Sequence, residues 1–193
     1  MTKVITIANL KAGVGKSELV KELSKYLLER GHRVLMVDTD IHQPVAFKYF
    51  KEDFPFFSNL TFINLSTNEL SGLRNTLFSN FDYVVIDTMS YPTDLSTPFD
   101  ISDMIVSPTY AESGDSDLLV KLQELVETYS DKVRSIDVVT YTDNVEYTNN
   151  SEIIEAINNI ENINVLKSKL IYGKPEDSLD VLDELIENEY IEN

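Results

Sequence analysis

An α/β fold of three layers, with helices on both faces of a mostly parallel central sheet, is what this sequence predicts. Three observations carry the prediction. Short apolar β-like runs alternate with amphipathic helix-like segments along the chain, the pattern of repeated βαβ crossovers. Two of the runs, Val34-Leu35-Met36-Val37 and Val84-Val85-Ile86, are continuously apolar, as strands covered on both faces must be. A glycine-containing loop, Lys11 to Ser17, joins an apolar run to an amphipathic segment.

In chain order, Val4-Ile5-Thr6-Ile7-Ala8 predicts a strand over 3–9, and the helix-like spacing of Leu19 to Leu28 predicts a helix over 16–29. Further strands are expected at 33–38, 61–65, 82–88, 103–108, 136–141 and 165–171. Further helices are expected at 68–79, 115–128, 151–159 and 177–189. Residues 41–60 read as irregular and hold an aromatic cluster, Phe47, Tyr49, Phe50, Phe54, Phe56 and Phe57. Packing is the ordinary use of such a cluster; a protein-binding surface is the alternative. Asn144 to Ser151 reads as a polar loop without chemistry. With neither a repeat nor a low-complexity linker, residues 1–193 are expected to form one domain.

Composition narrows the functions. Hydrophobic residues make up 42% of the chain, enough for a buried core. No apolar run reaches the ~18–20 residues of a membrane span, and Met1-Thr2-Lys3 leads directly into a strand, so a cytoplasmic protein is expected. The chain has no cysteine, which excludes disulfides, thiolate metal sites and a cysteine nucleophile. The net charge of −17 is uneven: residues 1–96 hold 10 Lys+Arg and 11 Asp+Glu, whereas residues 97–193 hold 6 and 22. Glu176 to Asn193 carries eight acids and no Lys or Arg. Such a surface repels phosphate backbones and anionic lipids; it serves solubility or docks a basic partner protein.

The loop Lys11-Ala12-Gly13-Val14-Gly15-Lys16-Ser17 stands between a strand and a helix, where a phosphate-binding loop belongs. Its glycines let backbone N–H groups turn around phosphate oxygens, Lys16 reaches the β/γ-phosphates, and the Ser17 hydroxyl can ligate Mg²⁺. The helix that follows adds roughly half a positive charge at its N-terminus. The generic pattern wants glycine six residues before the lysine; Leu10 stands there, and a lysine, Lys11, opens the loop instead. Asp38 and Asp40, two apart, share a face of an extended strand and need a compensating cation, which hydrated Mg²⁺ supplies. Asp87 ends a buried apolar run, where a free carboxylate is costly, and it is expected to hold Mg²⁺ through water.

Lys11 to Ser17 resembles the deviant phosphate loop of the ParA/MinD family of P-loop ATPases, K-G-G-x-G-K-[ST], with Ala12 at the second glycine. Val34 to Asp40 resembles that family's D-x-D switch segment, and Tyr83 to Thr88 its Walker B strand. The resemblance implies an ATP- and Mg²⁺-dependent homodimer in which Lys11 crosses to the partner's phosphates as an arginine finger does. It implies that Asp40 orients the attacking water, so the catalytic set is Lys11, Asp40 and Lys16. Nucleotide contacts fall to Lys11, Ala12, Gly13, Val14, Gly15, Lys16, Ser17, Glu18 and Tyr172, and metal contacts to Ser17, Asp38, Asp40 and Asp87. Adenine is expected among loops mapping onto Thr140-Tyr141-Thr142 and Ile171-Tyr172-Gly173, with Tyr172 able to stack on a purine.

Ala12, Glu18, Ile41-His42-Gln43 and Met89-Ser90-Tyr91 depart from the family pattern and allow slow or altered turnover. Likeness to the small plasmid-partition members, which lack an N-terminal helix-turn-helix, implies a partition switch with a ParB/ParG-like centromere-binding adaptor. Nonspecific DNA contact is left to Lys21, Lys25, Arg30, Arg33, Lys48 and Lys51. A weakly hydrolysing, nucleotide-gated interaction module and a MinD-like positioning ATPase are the alternatives; the acidic tail speaks against membrane cycling.

Overall fold

The computed structural model describes residues 1–44, 58–142, 151–171 and 179–191. Seven strands run through them: β1 (Lys3–Ile7), β2 (Val34–Asp38), β3 (Leu60–Asn64), β4 (Tyr83–Asp87), β5 (Met104–Thr109), β6 (Ile136–Thr142) and β7 (Ile163–Ile171). They form one sheet in the order β3-β2-β4-β1-β5-β6-β7, and every neighbouring pair is parallel. Six α-helices accompany them among the described residues: α1 (Lys16–Glu29), α2 (Thr67–Leu70), α3 (Ser96–Ile101), α4 (Asp115–Tyr129), α5 (Ser151–Asn158) and, after the last strand, α6 (Leu179–Ile191).

Strand alternation explains the two-sided burial. Ile5, Ile7, Val34, Met36, Val85 and Val106 pack with Leu19, Leu23 and Leu27 of α1 and Leu182 and Leu185 of α6. Their strand neighbours Val4, Leu35, Val37, Val84 and Ile86 face the other way, onto Leu70, Phe78 and Ile101. Farther along that second face, Ile105, Ile136 and Val138 meet Phe99, Leu119, Leu122 and Ile157 of α3, α4 and α5. Because both faces are covered, the central strands carry no polar alternation. The core side chains of β2 and β4 are fully buried, Leu35, Met36, Val84, Val85 and Ile86 at 0% exposure.

The sheet departs from the expected elements in two places. The helix expected over 68–79 stops after one turn at Leu70. Ser66 and Glu69 close a capping box that starts it, but Ser71-Gly72 ends it, and the Gly72 and Leu73 amides both turn back to the Leu70 carbonyl. The chain then descends through turns into a 3-10 turn, Phe78–Asn80, which seats Phe78 in the core. Conversely, α3 was not expected. Pro98 sits in its first turn, where a missing N–H costs nothing, and Phe99 and Ile101 are its buried anchors. Strand limits shift by a residue or two: β1 ends at Ile7, and β7 starts at Ile163.

The strand order places the site. From β1 the chain crosses to β2, leaving room for β4 between them, and later continues from β5 away on the other side. Ligands of open parallel sheets bind outside the carboxyl ends of the strands where the order reverses. The carboxyl ends of β1, β2 and β4 meet there, with Ile7 level with Asp87 and Asp87 level with Asp38.

Candidate functional site

Gly13 and Gly15 hold φ of 74° and 87°, backbone states that side-chain-bearing residues rarely adopt. They turn the chain between β1 and α1, so Gly15 caps the helix in a left-handed conformation. Gly15 is doubly constrained, because a Cβ there would lie 2.8 Å from Cε2 of Tyr141. The Tyr141 hydroxyl donates to the Gly15 carbonyl at 3.3 Å. Tyr141 therefore props the loop from beneath: it is buried at 2% exposure, inside β6 and stacked with Tyr110 at 5.5 Å. Thr140-Tyr141-Thr142 are the carboxyl end of β6, and the residues that follow lie outside the described ones. Tyr172 lies outside the described residues, as do Phe47, Tyr49, Phe50, Phe54, Phe56 and Phe57, and Lys48 and Lys51.

The loop's start is pinned by Asn9. Its side-chain amide donates to Ser107 Oγ and to the Pro108 carbonyl, both at 3.0 Å, while its oxygen accepts the Lys11 amide at 2.7 Å. Ala12 and Gly13 are the exposed apex, and Val14 is buried beneath them. Lys16 Nζ donates to Ser90 Oγ at 2.6 Å and to the Lys11 carbonyl at 3.3 Å. Burial lowers the Lys16 pKa below that of an ordinary lysine, against the pull of Asp87. A partly desolvated ammonium held by two neutral oxygens is ready to exchange them for phosphate oxygens.

Ser17 Oγ donates to Asp87 Oδ2 at 2.5 Å. Burial pushes the Asp87 carboxyl up to about 7; the Ser17 hydroxyl opposes this and the neighbouring Asp38 charge adds to it. Asp38, 1% exposed, accepts the Asp40 amide at 2.9 Å. Thr39 ties the two strand ends together, its amide and hydroxyl both donating to the Asp87 carbonyl at 3.1 and 3.0 Å. Asp40 Oδ1 accepts the amides of His42 and Gln43 at 3.0 and 2.8 Å, so its carboxylate shapes the switch turn. Among the described residues, no three acids or histidines close into a metal cage. A hydroxyl beside buried carboxylates is instead a hard-oxygen donor set of the kind Mg²⁺ uses while keeping waters and binding phosphates. Ser17, Asp38 and Asp87 fit that ion, and Asp40 stands at the edge of the group.

Two further placements concern charged residues of the loop. Glu18 pairs with Lys21 at 2.8 Å one turn along α1, which neutralises its charge beside an anion site. Lys11 Nζ bonds Glu112 Oε2 at 2.6 Å and Asp115 Oδ1 at 2.9 Å. Sequence reading missed Ser90, Asn9, Glu112 and Asp115 as parts of the site. Ser90 lies just past the Tyr83 to Thr88 segment, whereas Glu112 and Asp115 follow β5, about a hundred residues from Lys11.

Residues 5–180 match the CobQ/CobB/MinD/ParA nucleotide-binding domain. In structure, the chain is similar to a plasmid partition protein of Borrelia burgdorferi B31 bound to AMPPNP, at 18% identity and TM-score 0.72, covering 97% of this chain and 99% of that one. It is also similar to cobyrinic acid a,c-diamide synthase of Mycobacterium smegmatis bound to an ATP analogue and magnesium, at 18% identity and TM-score 0.72, over 96% and 95% of the two chains. In sequence, 81 residues are 36% identical to the signal recognition particle 54 kDa protein of Pyrobaculum calidifontis, covering 39% of this chain and 18% of that relative. The chain thus spans less than a fifth of the length of that relative.

Proposed function

Because the chain belongs to the CobQ/CobB/MinD/ParA nucleotide-binding family, we propose that it is an ATPase of the partition type. ATP and Mg²⁺ would join two copies face to face, and a centromere-binding adaptor of the ParB/ParG type would set the rate of separation. The observation that carries this reading is the convergence of Lys16, Ser17, Asp38 and Asp87 where β1, β2 and β4 end. The AMPPNP-bound partition protein, of the same fold and nearly the same extent, supports it.

Each residue then has a task. The N–H groups between Gly13 and Ser17, with the positive end of α1, receive the β-phosphate. Lys16 leaves Ser90 and the Lys11 carbonyl for the β/γ oxygens. Ser17, Asp38 and Asp87 would hold Mg²⁺, which when bound would supply neutralisation of charge on the phosphates. Asp40 orients the attacking water, and Lys11 of a second copy stabilises charge on the transferred phosphoryl group.

Nonspecific DNA binding belongs to the first half of the chain, where Lys21, Lys25, Arg30 and Arg33 lie. Lys21, Arg30 and Arg33 are partly committed to Glu18, Asp183 and Asp82. Membrane cycling would call for a basic amphipathic helix, and α6 is acidic.

Turnover and nucleotide uptake measured together test the reading. Lys16→Ala should abolish ATP uptake, whereas Asp40→Ala should keep uptake and lower kcat by about 10²-fold or more. Unchanged turnover in Asp40→Ala, with ATP still joining two copies, would remove Asp40 from the catalytic set and favour a nucleotide-gated interaction module that scarcely hydrolyses ATP.

A further inference from the structure

Lys11 is bound twice, at its backbone and at its side chain, and both restraints come from the end of β5. Its amide is tethered through Asn9 to Ser107 and Pro108. Its ammonium lies between Glu112 and Asp115. The turn that aims these two acids back at the loop contains Ala111 at φ 54°, a left-handed state rare outside glycine, asparagine and aspartate. Asp115 is rigid: its side chain is 5% exposed, and Oδ2 accepts the Thr109 hydroxyl at 2.6 Å and the Glu112 amide at 3.0 Å. Glu112 is the loose jaw, its side chain 62% exposed and its carboxylate engaged by Lys11.

We propose that Glu112 and Asp115 form an intramolecular latch that stores Lys11 in the separated chain and sets the nucleotide level at which two copies join. The proposal rests on the reading that Lys11 acts across an ATP-bound dimer. An ammonium has three donors, and two of them are spent on this chain's own carboxylates. Reaching a neighbour's phosphates therefore requires leaving both acids, and the triphosphate must outcompete them. A dimer takes two lysines, so any change in latch strength per chain enters the dimerisation constant squared. Glu112 and Asp115 are positioning residues in this scheme, since they act through Lys11.

Sedimentation of the full chain with Mg²⁺ and AMPPNP tests it, comparing wild type with Glu112→Gln, Glu112→Gln/Asp115→Asn and Lys11→Ala. Removing the exposed half of the latch changes Lys11 retention by about 2- to 5-fold per chain. Glu112→Gln should therefore dimerise about 4- to 25-fold more tightly than wild type, and the double variant more tightly still. Salt screens the exposed pair, so the gap between wild type and Glu112→Gln should close as salt is raised, a change a merely structural role would not produce. If wild type dimerises and Lys11→Ala does not, but Glu112→Gln matches or falls below wild type, the latch is wrong and the trans-acting lysine stands. If Lys11→Ala dimerises and hydrolyses ATP like wild type, or if no form dimerises, the dimer reading fails and the latch with it. Because the exposed Glu112 side chain can change without disturbing packing, its single variant decides even if the double variant unfolds.

Discussion

Asp87 carries the sharpest electrostatic consequence of any single residue. A carboxyl raised to about 7 by burial binds its proton more tightly in the folded chain than in the unfolded one. The nucleotide-free protein therefore loses stability as pH rises from about 4 to about 7, and the loss is complete above that range. Asp87→Asn removes the penalty, so at pH 8 without metal it should unfold at higher urea than wild type, by up to about 4 kcal/mol. The same variant should bind Mg-ATP more weakly. Urea titrations at pH 5 and pH 8 check the sign; a variant less stable than wild type at pH 8 would contradict it. Gly15 gives a second residue-scale prediction. Gly15→Ala meets Tyr141 at 2.8 Å in an unfavourable backbone state, so it should destabilise the fold by about 1–3 kcal/mol and abolish nucleotide uptake. Asp38 and Asp87 were legible in the sequence because each ends a contiguous apolar run, and Lys16 and Ser17 because they close a glycine loop between a strand and a helix. The partners of Lys11 and Lys16 were not, because the sheet brings them together from segments 74 to 104 residues apart.

At the scale of elements, α1 is the hinge between site and scaffold. Its N-terminus faces the phosphate loop, and its flank carries α6. Tyr26 donates its hydroxyl to Asp183, Arg30 pairs with the same carboxylate at 2.9 Å, and the Arg30 guanidinium lies over the Tyr26 ring at 3.4 Å. Beneath this polar seam Val181, Leu182 and Leu185 are buried with Leu23 and Leu27. Leu182→Ala should cost about 2–5 kcal/mol, and Tyr26→Phe about 1 kcal/mol, both read by urea unfolding. A Leu182→Ala cost below about 1 kcal/mol would mean that α6 adds little to the core. Strands were the more legible elements, since short continuous apolar runs such as Val34 to Val37 and Val84 to Ile86 suit strands buried on both faces. The segment 68–79 shows the limit: its apolar spacing suits a helix, yet Ser71-Gly72 breaks it after one turn. The α3 segment is six residues long, mixes polar with apolar side chains and holds a proline, too short a signal to separate from a loop.

For the whole molecule, parallel pairing followed from strand–helix alternation, whereas the position of β4 between β1 and β2 is a tertiary fact that alternation does not encode. Charge is legible directly. At −17, with Lys21, Arg30 and Arg33 of the described residues already paired with acids, the chain should hold nonspecific DNA only weakly even with ATP and Mg²⁺. Retention should disappear between about 50 and about 200 mM salt. Strong retention at the upper end would require a basic surface that this charge distribution does not supply. Calorimetry of ATP titrated into the full chain, with and without Mg²⁺, addresses the central claim most directly. Saturable uptake that requires Mg²⁺ and vanishes in Lys16→Ala is the predicted result. Absence of uptake in wild type, or uptake indifferent to both the metal and Lys16, would contradict the account.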